Sequence, residues 1–235
     1  MSERPTGPLG AAPAGVAGQE LVLATRSAGK LRELEPLLSQ RGWVAVTLES
    51  LGVPEAADEE ALEAFSTFEE NALAKARHFA RRTGRVVCAD DSGLSVAALD
   101  GRPGVHSKRW SGSDLEGAAL DAFNNAYLQE RLADAERRGR VSREAAYVCA
   151  AACVWPGGEV CVLGETRGRL LHEPRGVGGF GYDPYFFSHD LQATFAEVER
   201  DRKAVVSHRG RAFCALLDEL ERFFRLPVDR GALRG

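Results

Sequence analysis

The stretch Val86-Val87-Cys88-Ala89-Asp90-Asp91-Ser92-Gly93-Leu94 decides the fold. Its apolar run, bounded by Gly84 upstream and a Ser-Gly pair downstream, has the length and punctuation of a buried strand. Side chains alternate between the two faces of a strand, so the adjacent carboxylates are expected to mark its end. In open α/β sheets, ligands bind in the crevice beyond the carboxyl ends of the strands. Two anionic groups placed there are costly to desolvate without a cation or hydrogen-bond donors. Hard carboxylate oxygens suit magnesium, above all where the ligand is a phosphate. The same residues also fit a polar exit from the strand whose carboxylates cap the next turn. On their own they leave both readings open.

A chain of 235 residues suffices for one well-packed domain, or one domain divided into two lobes. Its 44% hydrophobic and 27% charged residues fit a soluble globular protein. A net charge of -4 argues against nucleic-acid or membrane-surface partners, which favour basic surfaces. An anionic ligand must then be held by local cations. The cysteines Cys88, Cys149, Cys153, Cys161 and Cys214 sit mostly in apolar runs and form no CxxC pair. That usage fits reduced core thiols in a cytoplasmic protein, and neither a disulfide framework nor a zinc site. No apolar run approaches the ~18 residues that span a bilayer.

Residues 1–18 are rich in Gly, Ala and Pro and read as a disordered extension, without the charged start and apolar core of a signal peptide. Order is expected over 19–226, with a flexible tail over 227–235. Glu20 to Thr25 reads as a buried strand, followed by Arg26-Ser27-Ala28-Gly29-Lys30 and a helix whose apolar face is Leu31, Leu34, Leu37 and Leu38. A strand, a small-residue turn and a helix N-terminus make an anion site, because the first amides are unpaired and the dipole favours negative charge. Lys30 adds a mobile cation. The pattern is close to a P-loop but fails twice, at Ala24 and at Leu31.

Trp43 to Thr47 reads as a second strand, followed by an acidic loop from Glu55 to Glu63. Thr67-Phe68-Glu69-Glu70 matches a capping box, which explains Glu70 structurally. The helix it opens, Thr67 to Arg82, carries Phe68, Ala72, Ala76, Phe79 and Ala80 on one side. Beyond the Asp pair, a turn at Gly101-Arg102-Pro103-Gly104 leads to Lys108-Arg109 beside Trp110. A helix from about Leu115 to Arg137 is expected to turn Leu120, Phe123, Tyr127 and Leu128 inward. Ala145 to Trp155 and Glu159 to Thr166 flank Pro156-Gly157-Gly158, a hairpin signal.

Four glycines fall within Arg175-Gly176-Val177-Gly178-Gly179-Phe180-Gly181-Tyr182-Asp183-Pro184. They let backbone approach a ligand, while Phe180 and Tyr182 suit stacking on a planar base. An ordinary glycine-rich loop with two anchoring aromatics fits equally well. An acidic helical stretch, Thr194 to Arg200, separates it from Lys203, Ser207, His208 and Arg209. These donors open a last apolar helix bearing Phe213, Leu216, Leu217, Leu220 and Phe223.

Five blocks, in order, carry a resemblance: Ala24-Thr25-Arg26-Ser27-Ala28-Gly29-Lys30, Thr67-Phe68-Glu69-Glu70-Asn71-Ala72, Ala89 to Leu94, Gly178 to Pro184, and Lys203 with His208-Arg209-Gly210. Together they resemble the inosine triphosphate pyrophosphatase family, over Leu21 to about Phe224. The resemblance implies an α/β fold, an elongated mixed sheet with flanking helices in two lobes around a central cleft, in a homodimer. It implies hydrolysis of deaminated purine nucleoside triphosphates (ITP, dITP, XTP) to the monophosphate and pyrophosphate, with Mg2+ as cofactor. Thr25, Arg26, Ser27, Ala28, Gly29 and Lys30 would contact the triphosphate. Asp91 would be metal ligand and general base, and Ser92 would touch substrate. Phe180, Gly181, Tyr182, Asp183, Lys203, His208 and Arg209 would line the nucleoside pocket.

The chemistry of the residues agrees with these roles. Asp91 can orient or deprotonate a water, and Lys30 with nearby amides can stabilise departing pyrophosphate. Lys203, His208 and Arg209 are donors that suit the 6-oxygen of inosine and xanthosine and leave the adenine amino group mismatched. The chain departs from the family at Ser27, usually Asn, at Arg26, often Gly, at His106, commonly Tyr, and at Lys108, commonly a small residue. The acidic loop is longer than usual, and Glu59, then Glu60, is the expected second metal ligand. Two other readings stay open: a Maf-type pyrophosphatase of different nucleotide preference, and a nucleotide-binding regulator without hydrolysis.

Overall fold

A computed structural model describes residues 19–225, apart from the side chains of Asp58, Glu60 and Arg225. The extension and tail expected at the two ends therefore lie outside the described residues. So does the side chain of Glu60. The decisive strand does not stop at its carboxylates: it runs Val87–Val96, through Asp90, Asp91, Ser92 and Gly93. The expected ending at the Asp pair is thus corrected. The strand pairs antiparallel with Glu144–Trp155 in unbroken register, from Val87 opposite Val154 to Val96 opposite Ala145. What does end near the pair is the partner on the other edge. The parallel strand Glu20–Leu23 accompanies it only to Cys88, and Ala24 N–H closes the contact on the Cys88 carbonyl at 2.7 Å.

In chain order the strands are β1 (Glu20–Leu23), β2 (Val44–Thr47), β3 (Val87–Val96), β4 (Glu144–Trp155), β5 (Gly158–Leu170), β6 (Phe186–Ser188) and β7 (Ala193–Thr194). They form a mixed sheet in the order β2-β1-β3-β4-β5-β6-β7, parallel among β1, β2 and β3 and antiparallel beyond. The helices are α1 (Ala28–Gln40), α2 (Phe68–Thr83), α3 (Gly117–Arg137), α4 (Arg200–Val206) and α5 (His208–Arg225). The mixed α/β sheet with flanking helices is as expected. None of the described helices is long and apolar enough to cross a membrane.

Alternation along the long strands builds a core on each face. Cys88, Cys149, Ala151 and Cys153 face α1 and α5 with Leu34, Leu38, Phe213 and Leu216. Val87, Ala89, Ala150 and Ala152 face α2 with Ala72, Ala76 and Phe79. The far ends of β3, β4 and β5 join α3, β6 and Phe195 in a third cluster. Contact with α5 is close: a Cβ on Gly164 of β5 would stand 2.2 Å from the His208 carbonyl and 2.4 Å from the Ala212 nitrogen. Only glycine there lets the helix lie on the strand.

Helix α2 starts on the Thr67 hydroxyl, which accepts from Glu70 N–H at 3.2 Å, and ends at Gly84 with φ 67°. Glu70 closes the cap through the Thr67 hydroxyl, at 2.9 Å. Two further expectations need correction. Helix α3 buries Asn124, Asn125, Leu128, Leu132 and Ala135 and leaves Phe123 half exposed, because the two amides have backbone partners inside. Thr194 to Glu199 is not helical; the helix begins only at Arg200. Thr194 ends β7, and its N–H donates to Glu197 at 2.8 Å in a turn before α4. Strands β6 and β7, only three and two residues long, have too short an apolar pattern to foresee.

Candidate active site

Because β3 continues through them, Asp90 and Asp91 point to opposite faces of the sheet. Asp90 is almost wholly buried and gathers cations: Lys30 Nζ stands 2.9 Å from its carboxylate, and Arg209 Nε donates to it at 3.1 Å. Burial works against its charged form, but Lys30, Arg209 and Lys75 outweigh it and hold the carboxyl well below the usual range. The edge of β3 freed by β1 also finds donors, since the Asp90 carbonyl accepts from Lys75 Nζ at 2.7 Å and from Lys30 Nζ at 3.4 Å.

Asp91 faces α2. Asn71 Nδ2 donates to it at 2.8 Å, and Lys75 Nζ lies 3.5 Å away. Burial pushes this carboxyl up, against the pull of Lys75 and Asn71. Lys75 also donates to Glu63 at 3.1 Å, so one ammonium stands between the carboxylates of Glu63 and Asp91. Burial of Glu63 is outweighed by Lys75, and its carboxyl is held low. Asn71 accepts from Phe65 N–H at 3.0 Å and so ties the acidic segment to α2.

Sequence reasoning overlooked Asn71, Lys75 and Glu63. Two of them had a signal. Asn71 and Lys75 are one helical turn apart, beside Ala72 and Ala76, and polar residues on an apolar face need partners. Glu59 stands elsewhere, forked onto Arg26 at 2.7 and 2.8 Å and 3.5 Å from Arg82.

The turn after β1 is built as an N-terminus. The Ser27 hydroxyl caps α1 by accepting from Lys30 N–H at 3.4 Å, and the Thr25 hydroxyl accepts from Ser27 N–H at 3.2 Å. A cavity of about 410 Å³ opens beside Thr25 and Arg26, against the turn from Thr47 to Glu55. The glycine-rich loop reaches over the same turn: a Cβ on Gly29 would meet the Phe180 ring at 3.5 Å. Phe180 stays 44% exposed and free to stack, whereas Tyr182 is buried and donates its hydroxyl to the Ser107 carbonyl at 2.8 Å. Gly181 is pinned from both sides, by Asp121 accepting from its N–H at 2.8 Å and Asn125 donating to its carbonyl at 2.9 Å.

Lys203 lies 5.0 Å from the Phe180 ring centre, with Asp183 at 2.7 Å and Glu33 at 3.3 Å. Glu33, another residue the sequence did not single out, also accepts from Arg209 Nη1. Arg209 Nη2 donates to Ser92 at 2.9 Å, which joins the start of α5 to β3. His208 stacks on Tyr147, with centroids 4.7 Å apart, and its Nδ1 has no partner. Burial, with Arg209 and Lys203 adjacent, pushes its imidazole well below the ordinary value, so the ring is neutral. The fold thus links Lys30, Ser92, Lys203 and Phe180 to Arg209 in one network through Asp90 and Glu33, places His208 next to it, sets Asp91 on the opposite face of β3, and leaves Glu59 and Tyr182 engaged in structure.

Comparison with known proteins gives this arrangement relatives. The Ham1 family model matches residues 21–219. A dITP/XTP pyrophosphatase of Exiguobacterium is 44% identical over 207 residues, 88% of this chain and 99% of its own. One from Frankia alni is 48% identical over 197 residues, 82% and 93% of the two chains. Among solved structures, a HAM1 protein from Coxiella burnetii is similar at a TM-score of 0.75 and 36% identity, over 87% of this chain and 99% of the other. A nucleoside-triphosphatase / dITP/XTP pyrophosphatase from Mycobacterium abscessus gives 0.64 and 44% identity, over 85% and 99%. The five sequence blocks and the fold lead to one conclusion: the chain belongs to the Ham1 family.

Proposed function

We propose that this protein hydrolyses the triphosphates of deaminated purines, ITP, dITP and XTP, to the nucleoside monophosphate and pyrophosphate. One observation carries this. Asp91, buried and with its charge only partly met, faces Glu63 across Lys75 at the point where β3 leaves β1 and the anion-binding turn begins. The dITP/XTP pyrophosphatase names of its relatives support the same reaction.

A divalent metal, Mg2+, fits the donor set. Two carboxylates that share an ammonium in the free protein supply the hard oxygen donors such a cation takes. Asp91 and Glu63 would hold it, with Glu63 in the place expected for Glu59, because Glu59 is engaged by Arg26 and Arg82. Bound there, the cation would neutralise phosphate charge and polarise phosphorus.

Asp91 accepts a proton from the attacking water as the oxygen bonds to the α-phosphorus. The α–β bridging bond breaks and its electron pair leaves on pyrophosphate. Lys30, Arg26, Thr25 and the amides of Ser27, Ala28 and Gly29 hold the departing charge. Phe180 stacks on the purine, and Lys203, Arg209 and the neutral His208 offer donors near its 6-oxygen. Gly181 and Asp183 fix the loop that carries Phe180. A homodimer and a cytoplasmic location complete the proposal, the first tested by sedimentation.

A phosphate assay with added pyrophosphatase, run over a nucleotide panel with magnesium titrated, tests the activity. Pyrophosphate release from ITP, dITP and XTP is expected. Comparable turnover of ATP and ITP would overturn the specificity, and a preference for dTTP or UTP would favour a Maf-type enzyme.

A further inference from the structure

Arg109 has no part in the scheme above, yet its guanidinium reaches Glu63 of the proposed metal site from the turn that follows β3. It ends a 3-10 turn, Gly104–Arg109, whose backbone is anchored from several sides. The Ser107 hydroxyl donates to the Gly104 carbonyl at 2.6 Å and accepts from Leu94 N–H at 2.8 Å, which fastens the turn to β3. Gly93 leaves it room, since a Cβ there would stand 2.2 Å from the Gly104 carbonyl. Asn124 of α3 donates to the Lys108 carbonyl at 3.0 Å, and the Tyr182 hydroxyl donates to the Ser107 carbonyl at 2.8 Å. The side chain, by contrast, is 58% exposed and extends to Glu63 at 3.3 Å.

Glu63 therefore has two cations, Lys75 at 3.1 Å and Arg109, while Lys75 alone is shared with Asp91. The two carboxylates and two cations balance in the free protein. A divalent cation on Glu63 and Asp91 upsets that balance, and the two cations are not equally able to leave. Lys75 is buried and bonded to the Asp90 carbonyl, whereas Arg109 is exposed and held by Glu63. A guanidinium released there has a planar fork suited to phosphate oxygens.

Resting on the pyrophosphatase activity proposed above, we propose that Arg109 is a further polyphosphate-binding residue, held on Glu63 in the free protein and transferred to the triphosphate when metal and nucleotide enter. Through Ser107 and Tyr182 the glycine-rich loop sets the position of this arginine, so the base side of the cleft fixes a contact on its phosphate side.

The test uses R109Q, R109K and, as a surface-charge control, K108Q, in the full chain. In R109Q the KM for dITP should rise ~tenfold, the scale of one charge-assisted hydrogen bond, with kcat little changed. Inhibition by IMP, which lacks the β and γ phosphates, should stay as in the parent, and R109K should recover part of the loss. Without nucleotide, Mn2+ followed by electron paramagnetic resonance should bind R109Q more tightly than the parent, because a competitor for Glu63 is gone. An unchanged KM, a matching loss of IMP inhibition, the same effect in K108Q, or Mn2+ binding that is equal or weaker in R109Q would each overturn the proposal. Absence of pyrophosphate release by the parent protein would sink the proposed activity separately, since the Mn2+ titration reads the Arg109–Glu63 competition without turnover.

Discussion

Substituting the two carboxylates of β3 one at a time separates a structural charge from a chemical one. Asp90 holds Lys30 and Arg209 inside the protein, and D90N leaves both without their counter-charge. Breaking a buried pair on one side costs ~3–5 kcal/mol, which a urea titration of D90N should show. Asp90's folded carboxyl is held below its unfolded value, so its contribution is present above about pH 4 and is lost as pH falls further. Asp91 has the opposite sign, because burial raises its carboxyl. D91N should unfold no earlier than the parent while kcat drops by ~10²–10⁴, the range for loss of a general base. A stable D90N, or a D91N that unfolds readily, would reverse these assignments.

At the scale of elements, what matters is how segments are tied to the strand they serve. Asn71 and Lys75 of α2 bind the acidic segment to β3, so E63Q should raise the magnesium needed for half-maximal activity by at least ~10-fold. E59Q should instead loosen the contact with Arg26, and a double-mutant cycle of Arg26 with Glu59 should return ~0.5–1 kcal/mol. If E59Q shifted the magnesium requirement and E63Q did not, Glu59 would be the second ligand after all. Helix α5 offers a separate test. G164A forces a Cβ into the His208 carbonyl and Ala212 nitrogen, a clash of overpacking worth ~1–3 kcal/mol. It should lower the melting temperature and raise KM together, because the strained end of α5 carries His208 and Arg209.

The element scale also shows how far periodicity could be read. The apolar spacing of α1, α2 and α5 and the Pro-Gly turn between β4 and β5 were visible because each buries a continuous apolar face. The inner face of α3 was not, because Asn124 and Asn125 are inside for hydrogen bonds and Phe123 is outside.

For the molecule as a whole, acid should act through His208 before it acts through the carboxylates. Its imidazole is held neutral in the folded protein, while the unfolded chain takes up a proton near pH 6.5. Stability from this source is complete above that pH and declines as pH falls below it. Melting temperatures of the parent should fall between pH 7 and pH 5, and those of H208N should fall less. Equal slopes would mean that the ring is protonated in the fold.

The amino-acid sequence by itself determined the α/β class, the strand-turn-helix unit capped at Ser27, and the five motifs whose family resemblance implies Asp91, Phe180, Lys203, His208 and Arg209 as site residues. Such features are local: a run, a cap or a short motif carries its own chemistry. Only the tertiary structure decided that the strand continues past its carboxylates, that Glu63 and not Glu59 shares Lys75 with Asp91, and that Arg109 reaches Glu63. Those facts depend on where β1 stops beside β3 and on which of several loop acids meets Lys75. Contacts between residues far apart in the chain are set by packing, and no spacing along the chain encodes them.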